Sequence, residues 1–187
     1  TQITQPGEYV LVNDIIDSNT STCIDIQANN VILDCQGHTI DGLGNPNTNY
    51  GIYVYRSSST TTNITIKNCV LTHWVLYGIY LYNSNYNTLT NIIAKSNGDR
   101  GINLEYSNYN TLTNITASSN RFGLVLYYSN YNTLTNITAN SNFYGLSLQA
   151  NYNTIKDSKF QNNKYYGIYL YTSSGNLIYN NLFNNTN

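Results

Sequence analysis

At 187 residues the chain has room for one folding unit of ordinary size and not for two. Only 9% of residues are charged and the formal net charge is −1, so the chain lacks the basic surface that a nucleic-acid backbone or an anionic membrane would require. The composition is dominated by 34 Asn and 20 Tyr, yet Ile and Leu recur at regular places, which separates this chain from disordered Asn-rich tracts and favours an ordered β protein.

The first residues, TQITQPGEYV, carry no basic stretch followed by an apolar one, and no apolar run reaches membrane-spanning length. A mature secreted chain without membrane insertion is the expectation. Residues 1–22 are predicted as an N-terminal capping segment and residues 23–187 as one repeating unit. Apolar-flanked glycines mark the repeat at Gly51, Gly78, Gly101, Gly123, Gly145 and Gly167, giving a period of about 22 residues. The first apolar pair of each repeat is Ile79/Leu81, Ile102/Leu104, Leu124/Leu126, Leu146/Leu148 and Ile168/Leu170, spaced two apart as an inward strand face requires. A second column holds Leu89, Leu112, Leu134, Ile155 and Leu177. A third pairs Ile92/Ala94, Ile115/Ala117, Ile137/Ala139, Ser158/Phe160 and Asn180/Leu182. Where its first member shrinks to Ser its second grows to Phe, as a shared core layer demands.

Three short strands per repeat, paired in parallel with the next repeat, predict an all-β fold: a single-stranded parallel β-helix of about seven coils of ~22 residues. The coils begin near Cys23, Tyr50, Tyr77, Arg100, Phe122, Tyr144 and Tyr166, with side loops at 42–50 and 56–62. A leucine-rich repeat has a similar period but needs a helical segment per unit, where this chain has Asn, Thr and Tyr. The nine letters SNYNTLTNI recur at Ser84, Ser107 and Ser129 because each coil turns the same corners. Asn68, Asn91, Asn114 and Asn136 are predicted to take left-handed corner positions and to bond to one another as a ladder. A second set, Asn87, Asn110, Asn132 and Asn153, follows the stacked Tyr86, Tyr109, Tyr131 and Tyr152.

The segments CIDIQANNVILDCQGHTIDG (23–42), NITIKNCVL (63–71) and GIYLYNSNYNTLTNI (78–92) with its copies resemble the right-handed parallel β-helix repeats of NosD-like and carbohydrate-binding or sugar-hydrolase proteins, as found on prokaryotic surfaces. The resemblance covers about the last 165 residues and implies a right-handed coil. It does not fix a function, since such proteins include enzymes, accessory proteins and surface proteins.

β-Helix enzymes that cleave polysaccharides resemble one another in clustering acids on an outer sheet, and glycoside hydrolysis commonly needs a carboxylate pair. The outward positions here read Tyr80, Asn103, Val125, Ser147, Tyr169 and Tyr82, Glu105, Tyr127, Gln149, Tyr171, with one carboxylate among ten. A non-catalytic chain is therefore the expectation. Asp34 and Asp41 flank His38 as a candidate acid–base site; the preferred reading is that Asp34 bonds backbone at a corner and that QGH is a turn. No cofactor is predicted, and His38, His73, Cys23, Cys35 and Cys69 match no metal-binding spacing. Cys35 and Cys69 align at one corner of adjacent coils, leaving a disulfide and two free thiols both open. Glycosylation candidates are Asn19, Asn63 and Asn184, while the sequons at Asn114 and Asn136 are engaged by the ladder. Tyr80, Tyr82, Tyr127, Tyr169 and Tyr171 form a candidate contact surface for carbohydrate or a protein partner.

The last coil continues the repeat without a visible cap, which predicts head-to-tail self-association through open strand edges. The leading expectation is a non-catalytic extracellular structural protein forming a filament or surface layer. The alternative is a carbohydrate-binding, or lyase- or hydrolase-derived, domain of a larger surface protein.

Overall fold

The computed structural model describes residues 1–57 and 59–185. It is a parallel β-helix. One sheet runs the length of the rod through Gln2–Ile3, Thr22–Ile26, Tyr50–Val54, Tyr77–Tyr82, Arg100–Glu105, Phe122–Tyr127, Tyr144–Gln149 and Tyr166–Leu170, each paired in parallel with the next. The second sheet is bent. Its central strands Ile64–Thr72, Thr88–Lys95, Thr111–Ser118 and Thr133–Asn140 run without a break through the corner at which two separate strands are predicted. Each bends at one asparagine with positive φ: 57° at Asn68, 55° at Asn91, 56° at Asn114 and 55° at Asn136. Asn reaches this left-handed conformation at low cost, and pairing is preserved on both sides of it.

Residues 1–22 form a coil of the same kind: Gln2–Ile3, Gly7–Val10 and Ile15–Ser18 pair with the three strands that follow in the next coil. The rod thus has eight coils, one more than the sequence reading counts. The register follows the columns read from the sequence, with Leu89 opposite Leu112, Leu112 opposite Leu134 and Leu134 opposite Ile155. These four side chains are fully buried. Ser158 and Phe160 share the core layer, and the Ser158 hydroxyl accepts the Ile137 N–H at 3.0 Å.

The last coil differs from the sequence reading. Ile155 pairs with Ile178, not Leu177, and Phe160 pairs with Phe183, not Leu182. The corner after Leu170 holds one residue more than the one after Leu148, and a one-residue slip exchanges the faces of a strand. Leu177 and Leu182 accordingly point outward.

The glycine column has a steric cause. A Cβ on Gly123 would stand 2.5 Å from the Gly145 carbonyl oxygen, and one on Gly101 would stand 2.6 Å from that of Gly123. Only a bare backbone lets successive coils approach so closely at this corner.

Two buried asparagine ladders secure the other corners. In the first, the Asn87 N–H and Nδ2 donate to Asn110 Oδ1 at 2.8 and 2.9 Å, the Asn110 N–H donates to Asn132 Oδ1, and the double donation resumes from Asn132 to Asn153 and from Asn153 to Asn176. In the second, which the sequence reading missed, Asn97, Asn120, Asn142, Asn163 and Asn185 repeat the same arrangement. Most of these amides also donate to a main-chain carbonyl of a neighbouring coil, as Asn120 Nδ2 does to Ala94 O at 3.0 Å. The corners thereby close without stranded donors. The Asn68, Asn91, Asn114 and Asn136 ladder is exposed, with amide bonds of 2.9, 3.1 and 2.7 Å between successive members. Tyr86, Tyr109, Tyr131 and Tyr152 stack beside the inner ladder at 5.0–5.2 Å with nearly parallel rings.

Candidate functional site: a groove on the first sheet

The first sheet sends three columns of side chains outward, two by strand alternation and one from the corner just before the marker glycine, three residues ahead of the middle column. One contains Tyr50, Tyr77, Arg100, Phe122, Tyr144 and Tyr166; the middle one contains Tyr53, Tyr80, Asn103, Val125, Ser147 and Tyr169. The third adds Tyr82, Glu105, Tyr127 and Gln149, with Tyr171 following in the last coil. The middle column is aromatic at both ends and small between them. Where it falls to Val125 and Ser147 the sheet sinks between walls of larger residues, leaving a groove of about 330 Å³. Phe122 and Tyr144 line one side, Tyr127 and Tyr171 the other, with Tyr169 and Arg100 also in the lining. Three small positions in a row span about 14 Å at the inter-strand spacing.

Towards the N-terminus the face is a packed tyrosine cluster. Tyr80 stacks on Tyr53 at 5.0 Å and donates its hydroxyl to Glu105 Oε2 at 2.8 Å. Burial, reinforced by that carboxylate, holds the Tyr80 phenol well above the ordinary tyrosine range. Burial also raises Tyr50, Tyr53 and Tyr77.

Of the five tyrosines singled out from the sequence, Tyr127, Tyr169 and Tyr171 line the groove, whereas Tyr80 and Tyr82 belong to the packed cluster beside it. The sequence reading missed the Arg100, Phe122 and Tyr144 column, although it lies immediately before the marker glycines. Asp34, His38 and Asp41 do not form a joint site. Asp34 takes Asn68, the Gln36 N–H and Lys67; His38 pairs with Asp14 at 3.0 Å; Asp41 pairs with His73 at 2.8 Å. Among the described residues no group of three His, Cys, Asp or Glu side chains is placed to hold a metal ion.

Cys35 and Cys69 are joined by a disulfide between adjacent coils, and Cys23 is a buried free thiol. Asn19 is exposed and accepts from Asn45 Nδ2 at 2.9 Å. Asn63 is exposed, but its Nδ2 is given to Asn30 Oδ1 at 2.7 Å. Asn184 is exposed, and the Thr186 that completes its sequon lies outside the described residues.

A parallel β-helix bearing an aromatic groove on an outer sheet defines the class. Residues 50–187 match the family described as the right handed beta helix region, and the chain belongs to that family. No curated protein matches the sequence. Among solved structures, the chain is similar to the periplasmic alginate epimerase AlgG, with a TM-score of 0.77 and 16% identity over 94% of this chain and 46% of that one. It is also similar to the A-module of the Azotobacter vinelandii mannuronan C-5 epimerase AlgE6, with a TM-score of 0.60 and 17% identity over 98% and 56%. A third is the enzymatically active domain of bacteriophage CBA120 tailspike protein 2, with a TM-score of 0.66 and 13% identity over 94% and 37%. The chain spans about half the length of the two epimerases or less, and at these identities the likeness is one of fold.

The expectation of a non-catalytic chain is corrected by these neighbours, which are named as epimerases and as an enzymatically active domain. That expectation rested on finding one carboxylate among ten outward positions. Such a count argues against hydrolysis by a carboxylate pair, but epimerisation is a different reaction and is not addressed by it.

Proposed function

We propose that this chain is the β-helical part of a polysaccharide-acting protein and that it binds a glycan chain in the groove of its first sheet, along the axis of the rod. The observation that carries the reading is the interruption of the aromatic middle column by Val125 and Ser147 between aromatic walls. Aromatic faces with hydroxyl handles suit sugar rings, which are apolar on their faces and polar at their rims. Glu105, hydrogen-bonded to Tyr80 at the edge of this surface, is the proposed proton-transfer residue. A secreted or periplasmic setting agrees with the inter-coil disulfide.

Ser147→Tyr tests the reading with little risk to folding, because the same column already carries Tyr169 directly opposite Ser147 in the next coil. The variant fills the groove and is expected to abolish glycan binding, measured by calorimetric titration, at unchanged thermal stability. Undiminished binding by the variant would remove the groove as the site. Glu105→Gln is expected to bind glycan and to turn over none.

A further inference from the structure

In a repeat protein, positions that break the repeat mark places where something besides stacking has set the residue. The corner before the first strand reads Asn120-Arg121-Phe122-Gly123 and Asn142-Phe143-Tyr144-Gly145 in two coils. In the fifth coil it reads Asn97-Gly98-Asp99-Arg100-Gly101, as long as Asn163-Lys164-Tyr165-Tyr166-Gly167 in the last coil but bearing a charge pair where that corner has two tyrosines. The same coil turns Asn103 and Glu105 outward where the preceding coil has Tyr80 and Tyr82. These departures converge at the Arg100 end of the groove.

Their geometry is incomplete. Arg100 Nη1 donates to Asn103 Oδ1 at 2.8 Å, and the guanidinium carbon stands 4.8 Å from the centre of the Tyr77 ring. Arg100 Nε is 3.3 Å from Asp99 Oδ2, and Arg121 Nη1 is 3.6 Å from Asp99 Oδ1. These ion contacts lack hydrogen-bond alignment, so Asp99 Oδ1, Arg100 Nε and Asn103 Nδ2 are all buried with no hydrogen-bond partner. Asn103 is fully buried although its strand position faces outward. Unpaired buried polar atoms are costly and uncommon, and two of these three, Arg100 Nε and Asn103 Nδ2, are donors that lack an acceptor, whereas Asp99 Oδ1 faces Arg121. At this edge the Arg100 and Arg121 guanidinium groups share Asp99, while Glu105, at the far end of the same strand, is engaged by the Tyr80 hydroxyl. Lys164, set 5.0 Å from the Phe143 ring centre, adds a positive charge along the same edge of the sheet.

Building on the glycan reading above, we propose that Arg100 and Asn103 form an anion subsite at the end of the groove, taking an acidic substituent of the bound glycan, a carboxylate or a sulfate ester. The planar guanidinium suits either oxyanion as a two-pronged donor. Turning it from Tyr77 towards the groove leaves Asn103 Nδ2 free to donate to the same group.

The test is calorimetric titration of the wild-type chain, Arg100→Gln, Arg100→Lys and Ser147→Tyr with alginate, polygalacturonate, dextran sulfate, neutral dextran and cellohexaose. The wild type is expected to bind at least one acidic probe roughly tenfold or more tighter than either neutral one, as a charge-assisted bond allows. Arg100→Gln brings the acidic probes to the neutral level, Arg100→Lys keeps part of the preference, and Ser147→Tyr removes binding altogether. The pattern among the three acidic probes assigns carboxylate or sulfate. Equal wild-type affinity for neutral and acidic probes, lost in Ser147→Tyr, overturns the anion subsite and leaves the glycan reading standing. A preference for acidic probes that survives in a folded Arg100→Gln chain overturns it equally, and binding to none of the five overturns both.

Discussion

Replacing Asn110 by Ala separates two explanations for the asparagines that fill this sequence. Asn110 is 1% exposed; its Oδ1 accepts the Asn87 N–H at 2.8 Å and Asn87 Nδ2 at 2.9 Å, and its own Nδ2 donates to Ser84 O at 3.1 Å. Truncation takes a partner from two main-chain groups that water does not reach, at about 1–3 kcal/mol for each. Asn87 Nδ2 keeps a bond to Ser84 Oγ, so the expected loss is about 2–5 kcal/mol. Asn114→Ala removes two side-chain bonds between coils, at 3.1 and 2.7 Å, but these are exposed and water replaces them. What remains is the cost of holding Ala at a φ of 56°, about 1–2 kcal/mol. Urea unfolding followed by circular dichroism, with both variants compared at equal slope, reads the difference. A loss at Asn114 equal to or above that at Asn110 would refute the reasoning, and corner conformation, not buried amide bonding, would hold the coils together.

Three further outcomes follow from the packing. Gly123→Ala places a methyl 2.5 Å from a main-chain oxygen that cannot rotate away, and should lower stability by about 1–3 kcal/mol in the same urea assay. Reducing the Cys35–Cys69 bond, which closes 34 residues, should cost about 3–4 kcal/mol, read as a fall in melting temperature on adding reductant. The Asp34 carboxyl is held below the usual range, first by Asn68 and then by the Gln36 N–H. Its contribution is therefore complete above the ordinary aspartate value near ~3.9 and is lost as pH falls through the depressed one. Partly exposed to solvent, it is worth at most about 1 kcal/mol, so the melting-temperature advantage of wild type over Asp34→Asn should be small at neutral pH and vanish in acid.

The fold was legible because its signal is periodic. Leu89, Leu112 and Leu134 are one period apart, and any stacking that buries one buries them all. The difference in the last coil arises where periodicity fails one coil earlier: Leu148 to Ile155 is one step shorter than Leu126 to Leu134 or Leu170 to Ile178, so a constant step of 22 from Ile155 lands on Leu177. The buried ladder from Asn97 to Asn163 has its own signal in the recurring Ala-x-Ser-Asn at 94–97, 117–120 and 139–142, which apolar columns alone do not single out. The groove was visible only in part. Val125 and Ser147 stand in the sequence as ordinary small residues, and their meaning comes from tyrosines above and below them on the same face. Arg100 was hidden more deeply, because it occupies a column otherwise aromatic at Tyr77, Phe122 and Tyr144 that lies three residues before the middle column, out of phase with the strand alternation.

The most direct test of a glycan site on the first sheet is a crystal structure of this chain soaked with an oligosaccharide selected by titration. Sugar rings lying over Val125 and Ser147, between Phe122 and Tyr127 and running across the strands, are the predicted result. Rings bound instead along the Tyr86 to Tyr152 column or on the second sheet would contradict it.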